Sequence, residues 1–205
     1  MNLLTNKTLL ALVSLLAIGG GAWLAHWQQQ PRYVVQNATV LDFPRALPTL
    51  DLIDHRNEPF DNARLERAWT VLFFGFTHCP DVCPTTMSVL AKARERMRTL
   101  DPDRTFEVIM ISVDPERDRP EVLEQYVPFF DPDFLGVTGT TAQIQSLAAD
   151  MGVAYRRVPT GEQAYTVDHT SALFVINPEG ALQAISSSPH VPDVLANDLL
   201  AIAER

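Results

Sequence analysis

The only two cysteines of the 205-residue chain, Cys79 and Cys83, stand four positions apart in FGFTHCPDVCPTTM. A bridge inside so short a loop would remove little entropy from the unfolded chain, because the effect of a cross-link grows with the length of the loop it closes. The pair is therefore read as chemistry, either redox or metal binding, before architecture. Thiolates are nucleophiles and soft metal ligands, and helix N-termini favour their anionic form. The three intervening residues make a wider loop than the C-x2-C of thioredoxin-type reductases, so both sulfurs can turn to one ion. Two thiolates suit Cu(I), and an added imidazole would make a three-coordinate site open to Cu(II) as well. Zinc ordinarily takes a fourth ligand, and the chain has no further cysteine to supply it.

Five histidines compete for the third position. His26 lies in an apolar N-terminal flank, His55 in an exposed-looking HRNEP turn, and His190 in a loop near the C-terminus. His78 abuts Cys79 and is expected to point to the other side of the chain. His169, in VDHTSALFVIN, stands just ahead of a buried strand, where it is either a ligand or an ordinary surface or capping histidine. Asp81 between the cysteines reads as a turn former or a tuner of the thiols. Met87 at helical spacing reads as core rather than as a thioether ligand. Asp168 is either a plain loop residue or an acceptor that orients His169.

The elements that must position these residues are legible around them. TVLFFGF, residues 70–76, is apolar throughout and rich in β-formers, as a central parallel strand would be. It runs directly into the cysteine loop. Pro84 marks the start of a helix whose apolar residues Met87, Leu90, Ala91 and Met97 recur at helical spacing, so both cysteines are expected just before that helix. FEVIMIS, residues 106–112, predicts a second buried strand, and PEVLEQYV a short helix from Pro120. FLGVTG is expected as a strand and TAQIQSLAADMG as a helix ending at Gly152. VAYRR is a strand or half of a hairpin, and PTGEQ a polar loop. SALFVIN, the turn NPEG and ALQAIS form a terminal hairpin, before a closing helix from Pro192 to Ala203. Strands alternating with helices and ending in a hairpin give an α/β domain with a central mixed sheet flanked by helices.

Ahead of it, Thr8 to Ala25 carries no charge. Its eighteen residues would rise about 27 Å as a helix, close to the thickness of a bilayer core. We read residues 1–27 as a transmembrane anchor or a cleaved signal segment; Trp23 and Trp27 at interfacial positions favour the anchor, while Lys7 and the small residues at 20–22 fit a signal peptide. Residues 28–46 are a tether with an edge strand or hairpin over YVVQNATVL, and residues 47–205 the domain proper. Either reading exports the domain, and the lack of arginine before residue 32 favours a bacterial inner membrane with the domain on the periplasmic side. The net charge of −9 makes nucleic acid a poor partner.

Three motifs in order, GFTHCPDVCP, SVDPERD and VDHTSALFVINPEG, closely resemble the Sco/SenC family of copper-binding, membrane-anchored, thioredoxin-like proteins, over roughly residues 43–202. The resemblance implies a thioredoxin-like fold and copper ligation by Cys79, Cys83 and His169. It implies a metallochaperone that delivers copper to, or maintains, the binuclear copper site in subunit II of cytochrome c oxidase. The alternative is a thiol-disulfide oxidoreductase that uses Cys79 and Cys83 to reduce the cysteines of that site. Where thioredoxin-like reductases place a proline before the strand facing their cysteines, TVDHTS offers His169, which favours metal over catalysis. Exported cysteines this close tend to oxidise, so a thioredoxin-like reductase is expected as a partner, with another copper chaperone as a possible donor.

Overall fold

The computed structural model describes residues 12–21, 23, 33–161 and 164–204. Ten strands and four helices beyond residue 33 follow the order β1 (Ala38–Ala46), β2 (Leu52–Asp54), β3 (Pro59–Phe60), β4 (Trp69–Gly75), α2 (Val82–Leu100), β5 (Phe106–Ser112), α3 (Pro120–Tyr126), β6 (Leu135–Thr138), α4 (Thr141–Met151), β7 (Tyr155–Pro159), β8 (Tyr165–His169), β9 (Leu173–Ile176), β10 (Ala181–Ser186) and α5 (Pro192–Ala203). Residues 12–21, here α1, are helical and exposed. The apolar run 8–25 lies partly outside the described residues, and among the described residues no helix is long and apolar enough to cross a membrane.

Eight strands form one mixed sheet in the order β1-β10-β9-β4-β5-β6-β2-β3. β4, β5 and β6 run parallel, β9 pairs antiparallel with β4, and β10 pairs antiparallel with β9. β4 is central, and Val71 to Phe74 are all at most 1% exposed, which is why its sequence is continuously apolar rather than alternating. The helix after it buries Met87, Leu90, Ala93 and Met97 on one stripe, and packs against α5. Met87 is thus core. α4 is closed by a capping box at Thr140 and ends at Gly152, whose φ of 72° suits a residue without Cβ.

The structure differs from the sequence expectation in three places. α2 starts at Val82, so Cys83 lies in its first turn instead of before it. Pro84 is tolerated there because the first N–H groups of a helix have no intrahelical acceptor. His55 is 3% exposed: its ring folds under β6, and its Nδ1 accepts from the Gly136 amide at 3.0 Å. Burial holds its pKa below the ordinary histidine value. Finally, YTVDH forms a strand, β8, which pairs with β7 in a two-stranded sheet of its own.

β1 forms an edge of the main sheet through β10. The segment leading into it is held by Asp198 of α5, a 1% exposed residue whose carboxylate accepts the amides of Gln36, Asn37 and Ala38 at 2.6, 2.8 and 2.9 Å. Asp198→Ala is expected to lower the unfolding free energy by about 2 kcal/mol, because the three amides must find water instead. Denaturant unfolding of the two chains, at equal slope, measures it.

Candidate metal centre

β4 ends at Gly75, and the next four residues carry the chain over the sheet edge to Cys79. Gly75 is required here by close approach: a Cβ would lie 2.6 Å from the Phe73 ring and 3.4 Å from Cys83 Sγ. Cys83 is fully buried against this floor, whereas Cys79 is partly exposed. The Cys83 amide, in the first turn of α2, donates to Cys79 Sγ at 3.3 Å. Burial, above all, pushes the Cys83 thiol well above its usual pKa. The expectation that the helix start favours the ionised form of both cysteines is not met at Cys83, because removal from water outweighs the helix N-terminus.

From across the cleft β8 delivers His169, whose Nε2 stands 3.3 Å from Cys83 Sγ. Its Nδ1 faces the Thr170 carbonyl at 3.0 Å. A carbonyl only accepts, so Nδ1 carries the proton and the Nε2 lone pair faces the sulfurs. The ring meets Phe73 and Phe76 edge-on, at centroid distances of 6.0 and 5.8 Å. Burial lowers its pKa, against smaller upward effects from the Thr170 bond and Asp168. The imidazole is thus held neutral, in the form that can donate a lone pair. Cys79 Sγ, Cys83 Sγ and the His169 nitrogen all lie within 4.8 Å of one another, the only such group of potential ligands among the described residues. The donor set is soft and three-membered.

His26 lies outside the described residues; the other described candidates stay outside the cluster. His78 turns away, with its Nδ1 3.0 Å from Thr77 Oγ1 and 3.8 Å from an Asp118 oxygen. His190 meets the Ser171 carbonyl at 2.9 Å, bracing the link that follows His169. Asp168 is paired with Arg156 at 3.2 Å and does not orient His169; the Thr170 carbonyl does. Asp81 accepts from the Thr85 hydroxyl at 3.3 Å, a turn role, and makes no side-chain cap.

Sequence reasoning passed over the acidic turn between β5 and α3. Asp118 is completely buried and accepts from the Thr77 amide at 2.9 Å, the Thr77 hydroxyl at 2.6 Å and the Ser112 hydroxyl at 2.7 Å. Thr77 lies two residues before Cys79, so this carboxylate holds the cysteine loop. Asp114, equally buried, accepts from Tyr165 of β8. Tyr126 was also missed: its hydroxyl is buried without a hydrogen-bond partner, and burial together with the nearby Cys83, Cys79 and Asp118 raises its pKa. Two aspartates in one short apolar-flanked turn were the available signal.

Residues 43–204 match the SCO1/SenC family. The copper-bound crystal structure of ScoI from Arabidopsis thaliana is 31% identical, with a TM-score of 0.73 over 77% of this chain and 98% of that one. ScoI from Bradyrhizobium japonicum with copper bound is 33% identical, with a TM-score of 0.68 over 76% and 98%. The human mitochondrial protein SCO2 homolog is 35% identical over 178 residues, covering 85% of this chain and 67% of its own. The mixed sheet and its flanking helices are accordingly the thioredoxin-like Sco fold, and the chain belongs to the SCO1/SenC family.

Proposed function

We propose that this chain is a copper metallochaperone that binds Cu(I) or Cu(II) through Cys79, Cys83 and His169 and delivers it to the binuclear copper site of cytochrome c oxidase subunit II. The observation that carries the reading is the convergence of three soft or borderline ligand atoms within 4.8 Å, with the histidine lone pair already turned to the sulfurs. Copper-bound relatives with this fold support it. A three-ligand set suits cargo, since an incoming ligand from the target can attack while a resident one leaves. Copper entry requires the Cys83 proton to depart, and since Nε2 of His169 must keep its lone pair for the metal, that proton leaves to solvent and binding releases it.

In this reading the apolar run 8–25 anchors the chain as a single pass in a bacterial inner membrane, the domain faces the periplasm, and a thioredoxin-like reductase keeps the cysteines reduced. Another copper chaperone is a source of the cargo.

The partly exposed Cys79 beside the buried Cys83 favours a second activity, thiol-disulfide exchange. Cys79 would attack a target disulfide, and Cys83 would resolve the mixed disulfide, leaving a Cys79–Cys83 disulfide and a target dithiol.

Substitution of His169 separates the two. His169→Ala is expected to weaken Cu(II) binding by at least about 100-fold, since loss of outer-shell partners alone typically costs 10- to 100-fold. The thiolate-to-Cu(II) charge-transfer absorption and competition with a chelator measure it. Disulfide reduction should continue in the variant. Unchanged copper affinity would move the reading to the oxidoreductase.

A further inference from the structure

The two halves of the site come from elements with no backbone pairing between them. Cys79 and Cys83 belong to the loop and helix that leave β4, whereas His169 ends a hairpin, β7–β8, whose strands pair only with each other. The main sheet fixes one end of this distance, because three residues link His169 to Leu173 of β9, which pairs with Phe73 of β4; the hairpin itself is held from another side. The turn from Ser112 to Asp118 touches both halves. Asp118 grips Thr77 in the cysteine loop, and the Ser112 hydroxyl that donates to Asp118 also accepts the Asp114 amide at 3.0 Å. Asp114 then reaches the hairpin: it accepts the Tyr165 hydroxyl at 2.9 Å, pairs with Arg117, and lies 3.5 Å from Arg157 of β7.

Tyr165 is the point on which these contacts converge. The Arg117 guanidinium lies 3.8 Å from its ring centroid and donates to its carbonyl at 3.1 Å, and Arg157 lies over the same ring at 4.9 Å. Arg157 in turn bonds Glu116 of the turn at 2.8 Å. Strand alternation puts Tyr165, Val167 and His169 on one face of β8, with Val167 buried and Asp168 exposed on the other. Holding Tyr165 therefore fixes which face of β8 meets the cysteines and where along the strand.

We infer that the 112–118 turn is a bracket, with Asp118 holding the cysteine loop and the Asp114–Tyr165 contact acting as the positioning contact that places His169 against Cys83. This rests on the copper reading for its purpose, and on the contacts alone for its geometry. Release of the clasp would withdraw the histidine from the sulfurs while leaving both cysteines in place, which is the motion a cargo-releasing site needs.

The test uses Tyr165→Phe, which removes one hydroxyl and keeps the ring, in the full-length chain. In the metal-free reduced protein, nuclear Overhauser contacts between the His169 ring and the Cys83 β-protons are expected to weaken, and amide exchange in residues 155–169 to accelerate while β4 and β5 stay protected. Cu(II) affinity is expected to fall about tenfold, the scale of one hydrogen bond to a charged acceptor. In a His169→Ala background the same change should cost nothing, because the clasp acts only through that ring. An equal loss in both backgrounds, or unchanged contacts and exchange, overturns the inference. Should the native chain bind no copper at all, the functional reading fails, and the metal-free contacts still decide the bracket.

Discussion

A chain carrying Cys79→Ala and Cys83→Ala together is expected to bind neither Cu(I) nor Cu(II) at this site, while remaining folded. The sulfurs are the soft donors, and His169 alone among the remaining residues of the cluster cannot hold a monovalent soft ion against competing thiols in solution. Folding should survive because the cysteines are free rather than bridged, and Cys83→Ala removes only one buried sulfur, a loss of about 1 kcal/mol. Copper content after dialysis with a weak chelator measures the first point, and thermal unfolding the second. The single variants add a distinction. In the exchange reading Cys83→Ala leaves Cys79 able to attack but unable to be released, so a covalent adduct with a target peptide accumulates. In the delivery reading no adduct forms, and only copper is lost. Retention of stoichiometric copper by the double variant would place the metal elsewhere.

Asp118→Ala is expected to have the largest effect on stability among changes around the site, lowering the unfolding free energy by about 3 kcal/mol. The carboxylate is fully buried and receives three hydrogen bonds, two from Thr77 and one from Ser112. Its removal leaves those donors without an acceptor, and the Ser112 hydroxyl is too deep to turn to water. For a chain of this size that corresponds to a fall of roughly 6–12 °C in Tm. Copper affinity should drop in parallel, since the cysteine loop loses its anchor two residues before Cys79. Asp118→Asn keeps an acceptor oxygen and should recover part of the stability. A Tm within about 1 °C of the native value for Asp118→Ala would show that water replaces the carboxylate.

The contrast between these two predictions follows how each residue could be recognised. The cysteines announce themselves by type and spacing, and the chemistry of a thiolate pair is the same wherever the loop lies. Asp118 and Asp114 lie in a turn whose composition reads as polar surface, although both are completely buried. Their role depends on donors 41 and 51 residues away, Thr77 and Tyr165, which no local pattern reveals. His55 shows the same limit: a polar HRNEP turn reads as exposed, yet the ring is covered by β6 and held by Gly136. β8 escaped notice because Tyr165 to His169 mixes apolar and polar residues without a buried run, as befits a hairpin covered on one side only.

By itself the sequence determined the central strand, the helix after it, the terminal hairpin and the closing helix, because each is written in a local period of hydrophobic residues that needs no knowledge of its neighbours. It also singled out Cys79 and Cys83 as the candidate centre of the chemistry. Local pattern left open which histidine faces them and the family resemblance implied His169; among the described residues it is the tertiary structure that brings that ring to the sulfurs and sets its tautomer. Those depend on where a separate hairpin is clasped and on one carbonyl at Thr170, contacts between residues distant in sequence or set by the chain's path. The ionisation of Cys83 belongs with them: helix position favours a thiolate, and only the packing of Phe73 and Gly75 around the sulfur shows that desolvation wins.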